Sequence, residues 1–275
     1  MAKTLEFPVL LRLIDERSVA FRAAVSAAPS LDAQVPTCPE WTLIDLVHHL
    51  GGVHRFWAAT VAAGPADAPP ARSASAAPRE RDALLAWSVE STEQLLSALR
   101  EAGPDAGCWT WWGASESPQT SGAVARHQVQ EVAVHTYDAQ ITLGTPQPLP
   151  DEAALDGVDE FLSTCCAWTS AWPHKPAAVD FHAVEGRSWR LSLSGEGART
   201  TRLPTHGTMP DPVADTVTDP VADTAADEDP DAAAASARGT ASELVLTLYG
   251  RIPVDSLQLH GDRHLFDLLQ AWEPE

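Results

Sequence analysis

The chain has 275 residues, 44% of them hydrophobic, and a formal net charge of −20 at pH 7. This length and hydrophobic fraction suffice for one large domain or two ordinary ones with buried cores. The acidity argues against nucleic acid as a partner, because phosphate contacts need a basic surface, and the apolar runs are far shorter than a membrane span. The N-terminal residues lack the apolar region of a signal peptide, and the four cysteines form no CxxC pair. We therefore expect a cytoplasmic protein with reduced thiols.

The first part of the chain is predicted to be helical. Apolar residues recur at the helical period in five segments, which cover residues 5–27, 42–63, 79–101, 123–142 and 151–168. Thr42, with Asp45 three residues later, has the pattern of a capping box at the start of the second helix. Helices of these lengths, joined by loops of these lengths, predict an up-and-down bundle.

A tryptophan-rich segment separates the third and fourth predicted helices. Residues 103–122 form a long loop that carries Trp109, Trp111 and Trp112. Exposure of three indole rings is unfavourable, so we expect the loop to fold over another part of the protein. Packing on the bundle, a lid, and a wall of a substrate site are all open alternatives.

Beyond Pro176 the pattern changes from helical period to strand period. Alternating apolar residues predict strands at 178–182 and 188–193, and a further strand at 198–203. Residues 210–236 then repeat the hexapeptide Asp-Pro-Val-Ala-Asp-Thr, and 211–231 hold eight acidic residues without a Lys or Arg. So little in this tract can be buried that we predict a disordered acidic insertion.

Regular structure is predicted to resume near Thr240. Glu243 follows three residues later, which is the pattern of a capping box before the apolar run 244–248. Residues 256–260 form a candidate strand, and Asp262 is placed to cap a last helix. These patterns divide the chain into a helical bundle over residues 1–172 and a small α+β domain over residues 173–275.

The chemistry is predicted to lie on the second and fourth helices. Glu131 and His135 are four residues apart, so their side chains leave one face of a helix and can bind the same divalent metal. A third ligand must come from elsewhere, and the second helix carries His48 and His49. His49 lies beside the apolar stripe of that helix and is preferred, but His48 is only about 100° away and stays possible.

Two further residues on the fourth helix bear on this site. His127 precedes Glu131 by one turn, and helix geometry prevents 127, 131 and 135 from all binding one ion. His127 is then a neighbour of the site with a possible catalytic role, or a ligand if Glu131 is not one. Asp138 follows His135 by one turn and could orient its imidazole. The alternative to a metal site is that Glu131 and His135 form a solvated pair on the protein surface.

Two motifs resemble a known family. The first motif is Cys38-Pro-Glu-Trp-Thr-Leu-Ile-Asp-Leu-Val-His-His-Leu50, and the second is Glu131-Val-Ala-Val-His-Thr-Tyr-Asp138. Both are similar to motifs of the mycothiol-dependent maleylpyruvate isomerases, which belong to the DinB/YfiT-like metalloenzymes. The C-terminal segment from Gly239 to Arg251, with His260–Asp262, resembles that family's second domain. The resemblance implies an α+β fold: a DinB-like four-helix bundle followed by a small α+β domain that the disordered acidic insertion interrupts. This chain has Gln130 where the family often has histidine.

The resemblance also implies a site and a reaction. His49, Glu131 and His135 match the family's zinc triad. Arg251, a candidate catalytic residue, matches a position where an arginine can face an acidic substrate or simply pair on the surface. The implied cofactors are a divalent metal, zinc first, and the low-molecular-weight thiol mycothiol. The implied activity is isomerisation or S-transfer on a small electrophile.

Two other functions stay open at this point. One is a metal-dependent hydrolase, and the other is a non-catalytic binding or regulatory protein with a structural metal. The protein's own cysteines are poor nucleophile candidates, because Cys38 precedes a proline in a loop and Cys165 and Cys166 are predicted to lie far from the motifs.

Overall fold

A computed structural model describes residues 4–71, 77–204 and 232–272 of the chain. Four long helices open the fold, and their bounds agree with the predicted segments to within two residues: α1 Phe7–Ala27, α2 Leu43–Ala63, α3 Arg81–Ala102 and α4 Ser121–Thr142. The predicted capping box is confirmed, because the Thr42 hydroxyl accepts from the Asp45 N–H while the Asp45 carboxylate accepts from the Thr42 N–H.

The four helices pack as a bundle in which α1 lies against α4 and α2 lies against α3. Gly51 allows the close approach of α2 to α3, since a Cβ atom there would lie 2.1 Å from the ring of Trp87. The tryptophan-rich loop packs on this bundle. Trp112 is fully buried beside Trp57, whereas Trp111 stays 40% exposed.

The fifth predicted helix is only partly α-helical. The α-helix α5 spans Asp151–Phe161, and the chain continues as a π-helical turn over Leu162–Cys166. The Ser163 hydroxyl donates to the carbonyl oxygens of Asp159 and Glu160. This side-chain hydrogen bonding competes with the regular backbone ladder, which gives a physical reason for the change of helix type.

The second half contains one five-stranded sheet. Its strands are β1 Ala177–Ala183, β2 Ser188–Ser194, β3 Gly197–Arg202, β4 Ala235–Gly239 and β5 Gln258–Gly261, in the spatial order β3-β2-β1-β4-β5. The β1–β4 pair is parallel and the other pairs are antiparallel. The α+β class is therefore confirmed.

Strand β4 was not predicted. It begins at Ala235, inside the tract 210–236 that was predicted to be disordered, so the end of that tract was placed too late. The sequence Ala-Ser-Ala-Arg-Gly has no β-branched or aromatic residue, which leaves β4 without a local strand signal. The rest of the predicted tract, up to residue 231, lies outside the described residues.

Two short helices complete the second half: α6 Ala241–Leu248 and α7 His264–Ala271. The predicted capping box of Thr240 and Glu243 is confirmed, and the Asp262 carboxylate accepts from the His264 N–H at the start of α7. Both helices pack in the same apolar core as one face of the sheet. Within the part of the chain that the structure describes, no helix has the length and apolar character to cross a membrane.

The bundle and the sheet meet at Asp159 of α5. Its carboxylate accepts hydrogen bonds from Arg126 of α4, Trp189 of β2 and Arg202 of β3. Residues of α4 and α5 also belong to the apolar core under the sheet. The division of the chain into 1–172 and 173–275 stays a prediction.

Candidate functional site

The centre of the candidate site is a triad of His49 on α2 and Glu131 and His135 on α4. The Nε2 atoms of His49 and His135 lie 2.9 Å and 3.4 Å from the same oxygen, Oε1 of Glu131. One potential ligand atom from each residue lies within 4.8 Å of the other two, and this is the one group of three such residues found among the described ranges. Two imidazoles and a carboxylate that converge in this way are a donor set that suits a divalent metal such as zinc.

The rotational phase of α2 selects His49 over His48. The capping box fixes where α2 begins, and a helical step of about 100° then separates the two histidines. His49 reaches Glu131, whereas the Nε2 of His48 lies 3.0 Å from the carbonyl oxygen of Pro78 and its ring meets Trp87 edge-on. The structure therefore brings the three predicted ligands together and leaves His48 outside.

The charges of the triad stabilise each other. Burial disfavours the ionised Glu131, but His135 and the hydrogen bond from His49 outweigh burial and lower its pKa well below the ordinary value. Burial also lowers the pKa of His135, yet the carboxylates of Glu131 and Asp138 prevail and raise it to about 9. Without a metal the site thus holds a proton on His135, and a metal ion has to displace this proton.

Asp138 links the triad to the second half of the chain. Its Oδ2 lies 2.8 Å from Nδ1 of His135, which leaves the Nε2 of that ring turned towards Glu131. Arg251 donates to the same carboxylate from Nε and from Nη2, and the Thr37 hydroxyl donates to it over 2.6 Å. Burial would raise the pKa of Asp138, but His135 and Arg251 hold it at about 2. Asp138 therefore orients the imidazole of His135, as its spacing suggested.

His127 lies apart from the triad. Its Nδ1 is 2.9 Å from Oε1 of Glu160 on α5, and its ring packs against Trp111 and Trp112. Burial disfavours the imidazolium, but Glu160 outweighs burial and raises the pKa of His127. The hydrogen bond to Glu160 and the contact with the tryptophan-rich loop place His127 beside the site rather than in it.

Sequence reasoning missed two residues, Trp41 beside the triad and Glu160 beside His127. The ring of Trp41 lies 4.6 Å from that of His49 and 6.0 Å from that of His135, between centroids. Trp41 was interpreted only as part of a helix start. Glu160 is 1% exposed. Nothing in its sequence neighbourhood indicates this burial, because a carboxylate on a helix is usually solvated.

Two cysteines have neighbours in the motifs. Cys38 Sγ lies 3.6 Å from Nη2 of Arg251, and Cys165 lines the same cavity as Arg251. The prediction that Cys165 lies far from the motifs was therefore wrong. Burial raises the pKa of Cys38 and of Cys165, and that of Cys166 to about 12, so all three favour the neutral thiol.

Comparisons with known proteins bear on the fold and the family of the chain. The family model "Mycothiol maleylpyruvate isomerase N-terminal domain" matches residues 11–140, and the model "MDMPI C-terminal domain" matches residues 152–268. Among solved structures, a mycothiol-dependent maleylpyruvate isomerase is 15% identical with a TM-score of 0.55, and its histidine-to-alanine mutant is 13% identical with a TM-score of 0.58. Each match covers 93% of both chains, and at these identities it shows the fold. No curated protein sequence matches the chain. The two family models together span most of the chain, which therefore belongs to the mycothiol-dependent maleylpyruvate isomerase family.

Proposed function

We propose that His49, Glu131 and His135 bind one divalent metal ion, with zinc as the first candidate. The observation that carries the proposal is the convergence of both imidazole Nε2 atoms on one carboxylate oxygen. When bound, such an ion lowers the pKa of a coordinated thiol, so that the thiolate is available near neutral pH. The side chains of His49 and Glu131 are 32% and 17% exposed, which leaves this side of the triad open to a small molecule.

We infer that the reaction is a mycothiol-dependent isomerisation or S-transfer on a small electrophile. Membership of the family supports the thiol and the isomerase chemistry. In isomerisation the thiolate adds to a conjugated double bond, rotation follows about the resulting single bond, and the thiolate leaves. In S-transfer the sulfur stays attached to the substrate. A cytoplasmic location also stays a prediction.

The contacts of Arg251 and His127 support a proposed role for each. Arg251 was predicted as a catalytic residue, but its bonds to Asp138 and to the carbonyl oxygen of Tyr249 support a positioning role, exerted through Asp138 on His135. His127 is proposed to exchange a proton with the substrate or thiol, since its pKa is raised and its charge is balanced by Glu160.

A thermal-shift titration tests the metal site. Zinc should raise the melting temperature of the wild type, because a ligand at 100 times its Kd stabilises the native state by about 2.7 kcal/mol. His135→Ala should lose this response, and His48→Ala is the matched control that should keep it. Mycothiol added after zinc should raise the melting temperature further. An equal zinc response in wild type and His135→Ala would contradict the proposed site.

The two alternative functions give different results in the same experiments. A hydrolase would turn over its substrate without consuming or requiring mycothiol. A protein with a purely structural metal would lose stability on chelation and would consume no mycothiol in the presence of any electrophile. Incubation of the zinc-loaded protein with mycothiol and a generic electrophile therefore separates thiol chemistry from both alternatives, and turnover of a substrate without mycothiol separates the hydrolase from the structural protein.

A further inference from the structure

The tryptophan-rich loop carries the one aromatic side chain that is largely exposed within the described ranges. Trp111 is 40% exposed, whereas its neighbour Trp112 is fully buried. The Trp111 ring stacks on the ring of Trp168, with 6.2 Å between centroids and an angle of 17°, and it lies nearly perpendicular to Trp112. These contacts fix the orientation of the indole, and the exposed remainder of its surface is available to a ligand.

The position of Trp111 relative to the triad matters more than its exposure, because a single exposed apolar side chain needs no ligand to explain it. His127 lies between the two. Its ring is 5.6 Å from that of Trp111, and Glu131 follows it on the same face of α4, roughly 6 Å further along the helix axis. The exposed indole therefore stands roughly 10 Å from the triad.

Helix α2 connects the triad to the same loop from the other side. Phe56 follows His49 by seven residues, so it lies on the same face of α2, about 10 Å further along the axis. Its ring meets Trp109, and the ring of the next residue, Trp57, lies 5.3 Å from that of Trp112. Both helices that carry the triad therefore lead to the tryptophan-rich loop.

This distance selects the part of a substrate that the indole can contact. An electrophile has to meet the thiol sulfur at the triad, so it does not extend to a ring roughly 10 Å away unless it is large. The thiol itself does extend that far. Mycothiol is an acetylated cysteine joined through an amide to glucosamine and inositol, and bonds of ordinary length place these two rings roughly 8–13 Å from the sulfur.

The surface of an indole suits a sugar ring. The C–H groups on one face of a sugar carry partial positive charge, and the face of an indole has a negative potential. Stacking removes apolar surface of both partners from water and leaves the sugar hydroxyl groups at the rim, where they stay hydrated. Trp168 holds the Trp111 ring in place before a ligand arrives, so little side-chain entropy is lost on binding.

We propose that Trp111, supported by Trp168, binds a sugar ring of mycothiol by stacking and thereby selects this thiol over smaller ones. The proposal rests on the proposed function for the position of the sulfur, and it deepens that function by assigning a residue to recognition of the thiol. Trp111 is a binding residue and not a catalytic one, since its ring is too far from the triad to touch the reacting atoms.

Kinetics with two thiols test this role. The zinc-loaded full chain is assayed with one generic electrophile and either mycothiol or N-acetylcysteine amide, which has the same reacting part without the sugars. Trp111→Leu should lower kcat/KM for mycothiol about 5- to 10-fold more than kcat/KM for the amide, as expected for one lost stacking contact. Trp111→Phe keeps a smaller aromatic face and should lose less. Val184→Ala alters another exposed apolar side chain and is the control, in which the ratio should change less than twofold.

Binding of glucosaminyl-inositol separates this proposal from the proposed function, because that compound has no sulfur and needs no metal. An NMR titration of the metal-free full chain should show saturable binding that is about 5- to 10-fold weaker in Trp111→Leu. If Trp111→Leu fails to fold by circular dichroism, the same measurements on Trp111→Phe decide.

Two results would overturn the proposal: an equal loss of kcat/KM for both thiols in Trp111→Leu, or binding of glucosaminyl-inositol that is absent or independent of Trp111. Thiol turnover together with either result would refute the sugar site alone. Binding of glucosaminyl-inositol that depends on Trp111, without turnover of any thiol, would refute the proposed function and leave the sugar site in place.

Discussion

Single residues decide whether the triad can hold a metal. His135 is buried between two carboxylates, Glu131 on one ring nitrogen and Asp138 on the other. The same arrangement that orients the ring also raises its pKa to about 9 in the metal-free protein. A metal binds the neutral imidazole, so proton and metal compete for this side chain.

Zinc affinity should therefore depend on pH. Below about pH 9 the apparent affinity should rise about tenfold per pH unit, because each binding event releases the proton of His135. Asp138→Asn removes one carboxylate, which should shift this dependence to lower pH and weaken binding about 10- to 100-fold at pH 9, since the ring loses its orienting partner. Zinc dissociation constants measured against a competing chelator from pH 6 to 9 test this. Asp67→Asn, on an exposed loop, is the control, and a flat pH profile in the wild type would contradict the prediction.

At the scale of elements, α2 carries both a proposed metal ligand, His49, and a close contact with α3. Gly51 and Gly52 are neighbours in α2 with opposite surroundings. A Cβ atom at Gly51 would overlap the buried ring of Trp87, whereas a Cβ atom at Gly52 would meet no atom within 4 Å. Of these two glycines, only Gly51 is required for the close approach of α2 to α3.

These adjacent glycines form a matched pair for a stability experiment. Gly51→Ala should reduce the free energy of unfolding by about 1–3 kcal/mol, because the added methyl group overpacks the core. Gly52→Ala should increase it by about 0.5–1 kcal/mol, because alanine favours the helix without a steric penalty. Urea unfolding of both variants measures the difference. Equal effects of the two substitutions would show that α2 and α3 do not approach as closely as described.

An element could be predicted when its own residues determine its structure, and it was missed when its tertiary contacts do. Thr42 and Asp45 determine where α2 begins and therefore the direction in which each of its side chains points. This direction places His49 rather than His48 at the triad. Strand β4 could not be predicted, because its conformation comes from pairing with β1 and β5 rather than from its own residues. The partner of His127 was missed for the same reason, since Glu160 reaches it only through the packing of α5 on α4.

At the scale of the whole molecule, Asp159 joins the bundle to the sheet. Its carboxylate contacts Arg126 and Arg202, which come from opposite sides of the junction. Burial favours the neutral acid, but the two arginines outweigh burial and hold the pKa of Asp159 at about 2, below the ordinary 3.8. A pKa lowered by folding stabilises the native state by ~2 kcal/mol, fully above about pH 4 and progressively less as the pH falls towards 2.

Asp159→Asn should therefore destabilise the protein by ~2 kcal/mol at pH 7 and by much less near pH 2.5. Chemical unfolding of wild type and variant at both pH values gives the two differences. The control is Asp255→Asn, which removes an exposed ion pair with Arg263 and should change stability by less than about 1 kcal/mol at pH 7. A destabilisation by Asp159→Asn that is the same at both pH values would mean that the charge of Asp159 does not stabilise the junction.

The late position of β4 and Arg251 in the chain has a consequence for biosynthesis. Ribosomes deliver the chain from its N-terminus, and domains tend to fold as they emerge. Helices α2 and α4, with all three proposed ligands, are complete long before β4 and Arg251 exist. The proposed ligands are thus in place early, with Asp138 already beside His135 on α4, while Arg251 joins Asp138 only after the final stretch has been translated.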